Sequence, residues 1–130
     1  MYRATTHSIQ VDVEPSFMEE RSDPARSRYF WAYTVTIENR GERTVQLISR
    51  HWKITDGNGR LEEVRGAGVV GEQPRLPPGA SYEYNSGTPL STPSGIMRGA
   101  YQMEGEDGAR LEVRVPAFSL DSPHQAVRLN

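Results

Sequence analysis

The chain has 130 residues, with 15 basic and 17 acidic side chains, three histidines and no cysteine. That length suits one domain, enough to bury roughly two-thirds of the surface its unfolded chain exposes. Zero cysteine excludes a disulfide scaffold, a thiol nucleophile and zinc sites built on cysteine pairs. A net charge of −2 and a pI near 5.9 offer no bulk attraction to nucleic acid or anionic lipid. Residues 1–7 hold no apolar run of the signal-peptide kind, and nowhere do about 18 apolar residues run together, so a cytoplasmic chain with no membrane insertion is expected.

Period-2 alternation recurs along the chain, and helical periodicity does not. Ile9, Val11 and Val13 alternate with polar residues up to Pro15. A charged stretch over 19–28 reads as an exposed, mobile loop. Trp31, Tyr33, Val35 and Ile37 then form the next apolar stripe, ended by the Asn39-Arg40-Gly41 turn. Val45 and Leu47 sit on odd positions while Trp52 and Ile54 sit on even ones. One register cannot bury all four, so a bulge is expected between Leu47 and Trp52. Asp56-Gly57-Asn58-Gly59 is a hairpin turn, because Asn-Gly and Asp-Gly tolerate the positive φ it requires. A strand over 61–65 follows.

Further on, Tyr82 and Tyr84 share one face and are expected in the core. Gly99, Tyr101 and Met103 make another stripe, and Glu106-Asp107-Gly108 turns the chain into Leu111, Val113 and Val115. Pro116 shifts the face, so Phe118 and Leu120 continue on the other parity. Nine prolines and twelve glycines leave almost no window for a helix. About seven strands with turn signals every ~8–15 residues predict an all-β sandwich in a single domain spanning 1–130. Both ends, before about residue 7 and after about 121, are expected to fray. Trp52 is the strongest single core residue, with Trp31, Tyr33 and Tyr101 beside it.

Gly66-Ala67-Gly68-Val69-Val70-Gly71 fits the dinucleotide-binding G-x-G-x-x-G pattern. That motif needs a strand running into a helix whose first amides hold pyrophosphate. Here Pro74, Pro77 and Pro78 follow at once and no βαβ unit surrounds the glycines, so the Rossmann reading is set aside. Two readings survive: glycines that let the chain turn sharply between sheets, or an anion-binding nest with Arg65 or Arg75 nearby. Glu72, beside the loop, would repel an anion.

Other chemistry is thin. No G-x-S-x-G elbow, H-E-x-x-H pair or P-loop is present. His51, between Arg50 and Trp52, points away from the tryptophan side and reads as a surface histidine. His7, His51 and His124 are far apart in sequence, and Glu62 and Glu63 point to opposite faces, so no metal site and no cofactor are assigned. Arg21, Arg26 and Arg28 are offset by Glu19, Glu20 and Asp23, which leaves no nucleic-acid patch.

The stretch Arg50-His51-Trp52-Lys53-Ile54-Thr55-Asp56, the Gly66–Pro74 loop, Pro78-Gly79, Tyr82-Glu83-Tyr84-Asn85-Ser86-Gly87, Pro93-Ser94-Gly95-Ile96-Met97-Arg98-Gly99-Ala100-Tyr101-Gln102-Met103 and Pro116-Ala117-Phe118-Ser119-Leu120 resemble the ApaG family, also called CorD. The resemblance spans the chain, with Ala67 departing from the acidic or polar residue common there. It implies an immunoglobulin-like, fibronectin type III-like β-sandwich and an association with cobalt resistance and magnesium transport. It also implies protein–protein interaction, and it carries over no catalytic residues. The expected function is therefore a non-enzymatic interaction module for an unidentified protein partner. Its candidate surface is Gly66, Gly68, Gly71, Glu72 and Gln73 with Arg50 and His51. The alternative is pyrophosphate or nucleotide binding in the Gly66–Gly71 loop. An exposed sheet edge could also support a homodimer.

Overall fold

Alternation in the sequence becomes strand in the computed structural model, which describes residues 1–124. The described residues form nine strands: β1 (Tyr2–Thr6), β2 (Ile9–Phe17), β3 (Tyr29–Asn39), β4 (Val45–Asp56), β5 (Leu61–Ala67), β6 (Arg75–Leu76), β7 (Ser81–Leu90), β8 (Ser94–Gly105) and β9 (Arg110–Asp121). One sheet has the order β1-β2-β3-β7 and the other β5-β4-β8-β9, with β6 pairing on β4 beyond β5. All pairings are antiparallel. This is the expected all-β sandwich of immunoglobulin-like, fibronectin type III-like kind. Among the described residues no helix is long and apolar enough to cross a membrane.

The inner faces carry the predicted stripes. Val11, Val13, Trp31, Val35 and Ile37 on one sheet meet Leu47, Trp52, Tyr101, Val113, Phe118 and Leu120 on the other, all buried. The parity conflict in β4 resolves as expected: the register with β8 slips between Leu47 and Ser49, so Ile48 is the bulged residue. The parity change at Pro116 is a second bulge. Met97 pairs with Phe118 and Gly99 with Val115, which leaves Arg98 facing both Pro116 and Ala117. In the 56–59 turn, the Asp56 carboxylate accepts from the amides of Asn58 and Arg60, both at 2.9 Å, and Gly59 takes a φ of 83°.

Four expectations change. Residues 2–6 do not fray: they form β1, paired with Ile9–Val13. Two of its side chains also cap the edge of β9, where the Arg114 amide donates to Thr6 Oγ1 and the Ser119 amide to Tyr2 Oη. Beyond Asp121, Ser122 is buried and His124 Nε2 lies 2.9 Å from Glu19 Oε1; the rest of that expectation, residues 125–130, lies outside the described residues. The 19–28 stretch is exposed but built from two short 3₁₀ turns, tied by an Asp23–Arg28 bridge and by Ser22, whose Oγ donates to the Met18 carbonyl and accepts from the Phe30 amide. Of the two tyrosines on β7, Tyr84 is in the core while Tyr82 is only partly buried. The strand count rises from about seven to nine because β1 and the two-residue β6 carry too little alternation to register as period-2 stripes.

Candidate functional site

The glycine-rich loop and the β4 bulge are one structure. β5 pairs with β4 from Ser49 to Thr55, and β6 pairs with Val45 and Gln46. Between them the chain must leave the β4 edge and return, and it does so opposite Ile48. The Ile48 carbonyl accepts from the Gly68 amide at 2.9 Å and from Gln73 Nε2 at 2.9 Å. The Leu47 amide donates to the Pro74 carbonyl at 3.0 Å, and Gln46 Nε2 reaches the Gln73 carbonyl at 3.2 Å. The bulge turns a carbonyl outward, and the loop is fastened to it.

The tip is a two-residue turn. The amides and carbonyls of Val69 and Glu72 bond reciprocally at 2.8 and 2.9 Å, with Val70 and Gly71 at the corners, both at positive φ. Val69 is 1% exposed and roots the loop in the core; Val70 is 63% exposed at φ 48°. Gly68 is required twice over: its φ is +60°, and a Cβ would sit 2.2 Å from the Glu72 carbonyl oxygen. Gly66 makes room for Arg50, whose guanidinium would lie 2.9 Å from a Cβ there. Arg50 in turn donates from Nη1 to the carbonyls of Ala67 and Gly68, at 3.0 and 2.9 Å.

The predicted site residues therefore divide. Arg50, Gly66, Gly68 and Gln73 stiffen the loop rather than reach outward, while Gly71 and the Glu72 side chain lie exposed at its surface. The amides of Gly68, Val69 and Glu72 are spent on carbonyls of the protein, which takes three donors from the anion nest considered above. His51 lies on the outer face of the sheet, as expected from its opposition to Trp52. Its Nε2 is 2.9 Å from Glu63 Oε1 on the neighbouring strand. Arg65 also approaches Glu63, at 3.9 Å. Among the described residues no group of three or more His, Asp or Glu side chains is placed to hold a metal ion.

Sequence reasoning missed a polar knot between the sheets. The hydroxyls of Tyr84 and Tyr101 hydrogen-bond to each other in the interior. Burial raises the Tyr33 phenol and pushes those of Tyr84 and Tyr101 well above their ordinary range, and the Arg50 charge nearby opposes that rise. The available signal was the shared inward parity of Arg50 with Trp52.

Residues 19–105 match the family model described as the ApaG domain. The chain belongs to the ApaG family. It is 60% identical to Protein ApaG of Brucella suis biovar 1 (strain 1330) over 130 residues, all of both chains. Protein ApaG of Paramagnetospirillum magneticum (strain ATCC 700264 / AMB-1) is 58% identical, again over the full length of both. A crystal structure of the ApaA protein from Bordetella pertussis superposes with a TM-score of 0.87 at 50% identity, covering 93% of this chain and 98% of that one. The glycine spacing here serves a bulged β-sandwich edge in place of a nucleotide-binding helix.

Proposed function

We propose that this ApaG-family chain is a non-enzymatic protein–protein interaction module whose contact surface is the 66–74 loop. The supporting observation is Val70. A β-branched residue at positive φ costs about 1–2 kcal/mol and is rarely kept without a use. Here the side chain so held is apolar and exposed, on a turn already made rigid by Val69, Arg50 and Gln73. Preorganisation of that kind lowers the ordering cost of binding. The fitting partner is a cytoplasmic protein with a small apolar recess for the valine and polar groups for Glu72.

The family's link to cobalt resistance and magnesium transport then runs through that partner. His51 and His124, the histidines with carboxylate neighbours, meet a single glutamate each, a poor set for a tight divalent site. For self-association through a sheet edge, β5 is the exposed strand, with Glu62, Glu63 and Arg65 along it.

Val70→Asn tests the loop. Asparagine accepts positive φ readily, so the variant is expected to gain about 1 kcal/mol in a denaturant melt. The same variant is expected to lose both partner capture from lysate and cobalt tolerance in cells. A variant that captures the same partner as the parent sinks the reading.

A further inference from the structure

The outer face of the β5-β4-β8-β9 sheet carries a depression of about 250 Å³ that the loop does not reach. Its floor is Gly99 and Ala100, and Lys53, Arg98 and Arg114 line it together with His51 and one carboxylate, Glu112. Three formal positive charges against one negative is the reverse of the chain's net charge of −2.

Register makes the arrangement costly. Lys53 sits directly opposite Arg98 on β8, a like-charge cross-strand pair of the kind that destabilises a sheet, with Glu63 opposite it on β5. One row along, Ala100 stands between His51 and Arg114, so no side chain larger than a methyl fills the gap. Elsewhere on this sheet Arg110 pairs with Glu104 at 3.5 Å and Arg65 approaches Glu63 at 3.9 Å. Among the described residues Lys53, Arg98 and Arg114 make no side-chain ion pair. Arg98 is also the residue that faces the two-residue bulge at Pro116 and Ala117. Bulges bend a strand and re-aim the side chains around them, and they recur beside functional sites.

We infer that this depression binds a multivalent oxyanion, a phosphoryl group presented as inorganic pyrophosphate or at the end of a nucleotide. Two guanidiniums and an ammonium on three adjacent strands can donate to separate oxygens of one phosphoryl group. Neutralising them removes the Lys53–Arg98 repulsion, so the ligand gains what the empty sheet lacks. The site is distinct from the 66–74 loop, and its fate does not depend on the interaction reading.

The test is an amide nitrogen–proton NMR titration of the full labelled chain at low ionic strength, with inorganic pyrophosphate as probe. The expected result is saturable shifts at Lys53, Arg98, Gly99, Ala100 and Arg114, with Gly68 and Gly71 unmoved. Arg98→Ala with Arg114→Ala is expected to weaken binding at least tenfold while its spectrum keeps the dispersion of the parent. Arg60→Ala, outside the depression, is expected to bind as the parent does. A parallel titration with ATP separates the sources: tighter saturation assigns a nucleotide, equal saturation the inorganic anion. Non-saturating shifts with both probes overturn the proposal. So do shifts confined to the 66–74 loop, or affinity unchanged in the double variant.

Discussion

Trp52 is 3% exposed and sits edge-on to three rings: Tyr33 at 5.7 Å, Tyr101 at 6.2 Å and Phe118 at 6.2 Å between centroids. Both sheets contribute to that cluster, so the indole joins them. Trp52→Ala is expected to cost about 3–5 kcal/mol, read as the midpoint shift of a urea melt at unchanged slope. A loss below about 1 kcal/mol would mean the sheets meet elsewhere. This placement was legible because large rings at strand spacing have few other uses in a thin core. Arg50 was harder to read. The chain around it suggests a residue offered to a partner, yet its guanidinium lies across Gly66 and donates to the Ala67 and Gly68 carbonyls. An arginine on an inward parity finds those carbonyls only once the 66–74 loop has folded over it, and no spacing in the sequence encodes that closure.

At the scale of elements, bulges were readable where they break parity. Leu47 and Trp52 cannot share a face without one, and neither can Val115 and Phe118, so both were evident from apolar positions alone. The cationic depression was not, because Lys53, Arg98 and Arg114 come together only when three strands are set in register. The strand β1 was missed for a different reason: its residues alternate between intermediate and exposed with none buried, and an edge strand needs no apolar stripe. Its role predicts a measurable effect. Tyr2→Phe with Thr6→Val removes the two hydroxyls that accept from the Ser119 and Arg114 amides of β9. Those two amides are expected to exchange faster with solvent deuterium by about tenfold or more. Neighbouring β8–β9 ladder amides should hold their rates, since their acceptors are backbone carbonyls. Equal protection in the variant would show that β1 does not close the β9 edge.

Across the whole molecule, the buried tyrosines couple stability to alkaline pH. Tyr33, Tyr84 and Tyr101 come from three strands in two sheets, and burial raises all three phenols. In the unfolded chain each titrates near pH 10. Below that pH both states hold the protons, and the stabilisation is fully present. As pH climbs past 10, the unfolded chain releases protons that the fold retains, so the free energy of unfolding falls until the folded values are reached. Each phenol contributes a slope of up to about 1.4 kcal/mol per pH unit between its unfolded and folded values, a steep fall on the scale of a typical domain's stability. Urea midpoints measured from pH 8 to pH 11.5 are expected to stay level and then drop steeply above pH 10. Replacing both members of the hydrogen-bonded pair, Tyr84→Phe with Tyr101→Phe, removes two of the three groups without leaving an unpaired hydroxyl. That variant should lose about two-thirds of the alkaline slope while keeping its midpoint near pH 8 within about 1–2 kcal/mol of the parent. A parent midpoint that is flat to pH 11.5 would place these hydroxyls in water rather than between the sheets.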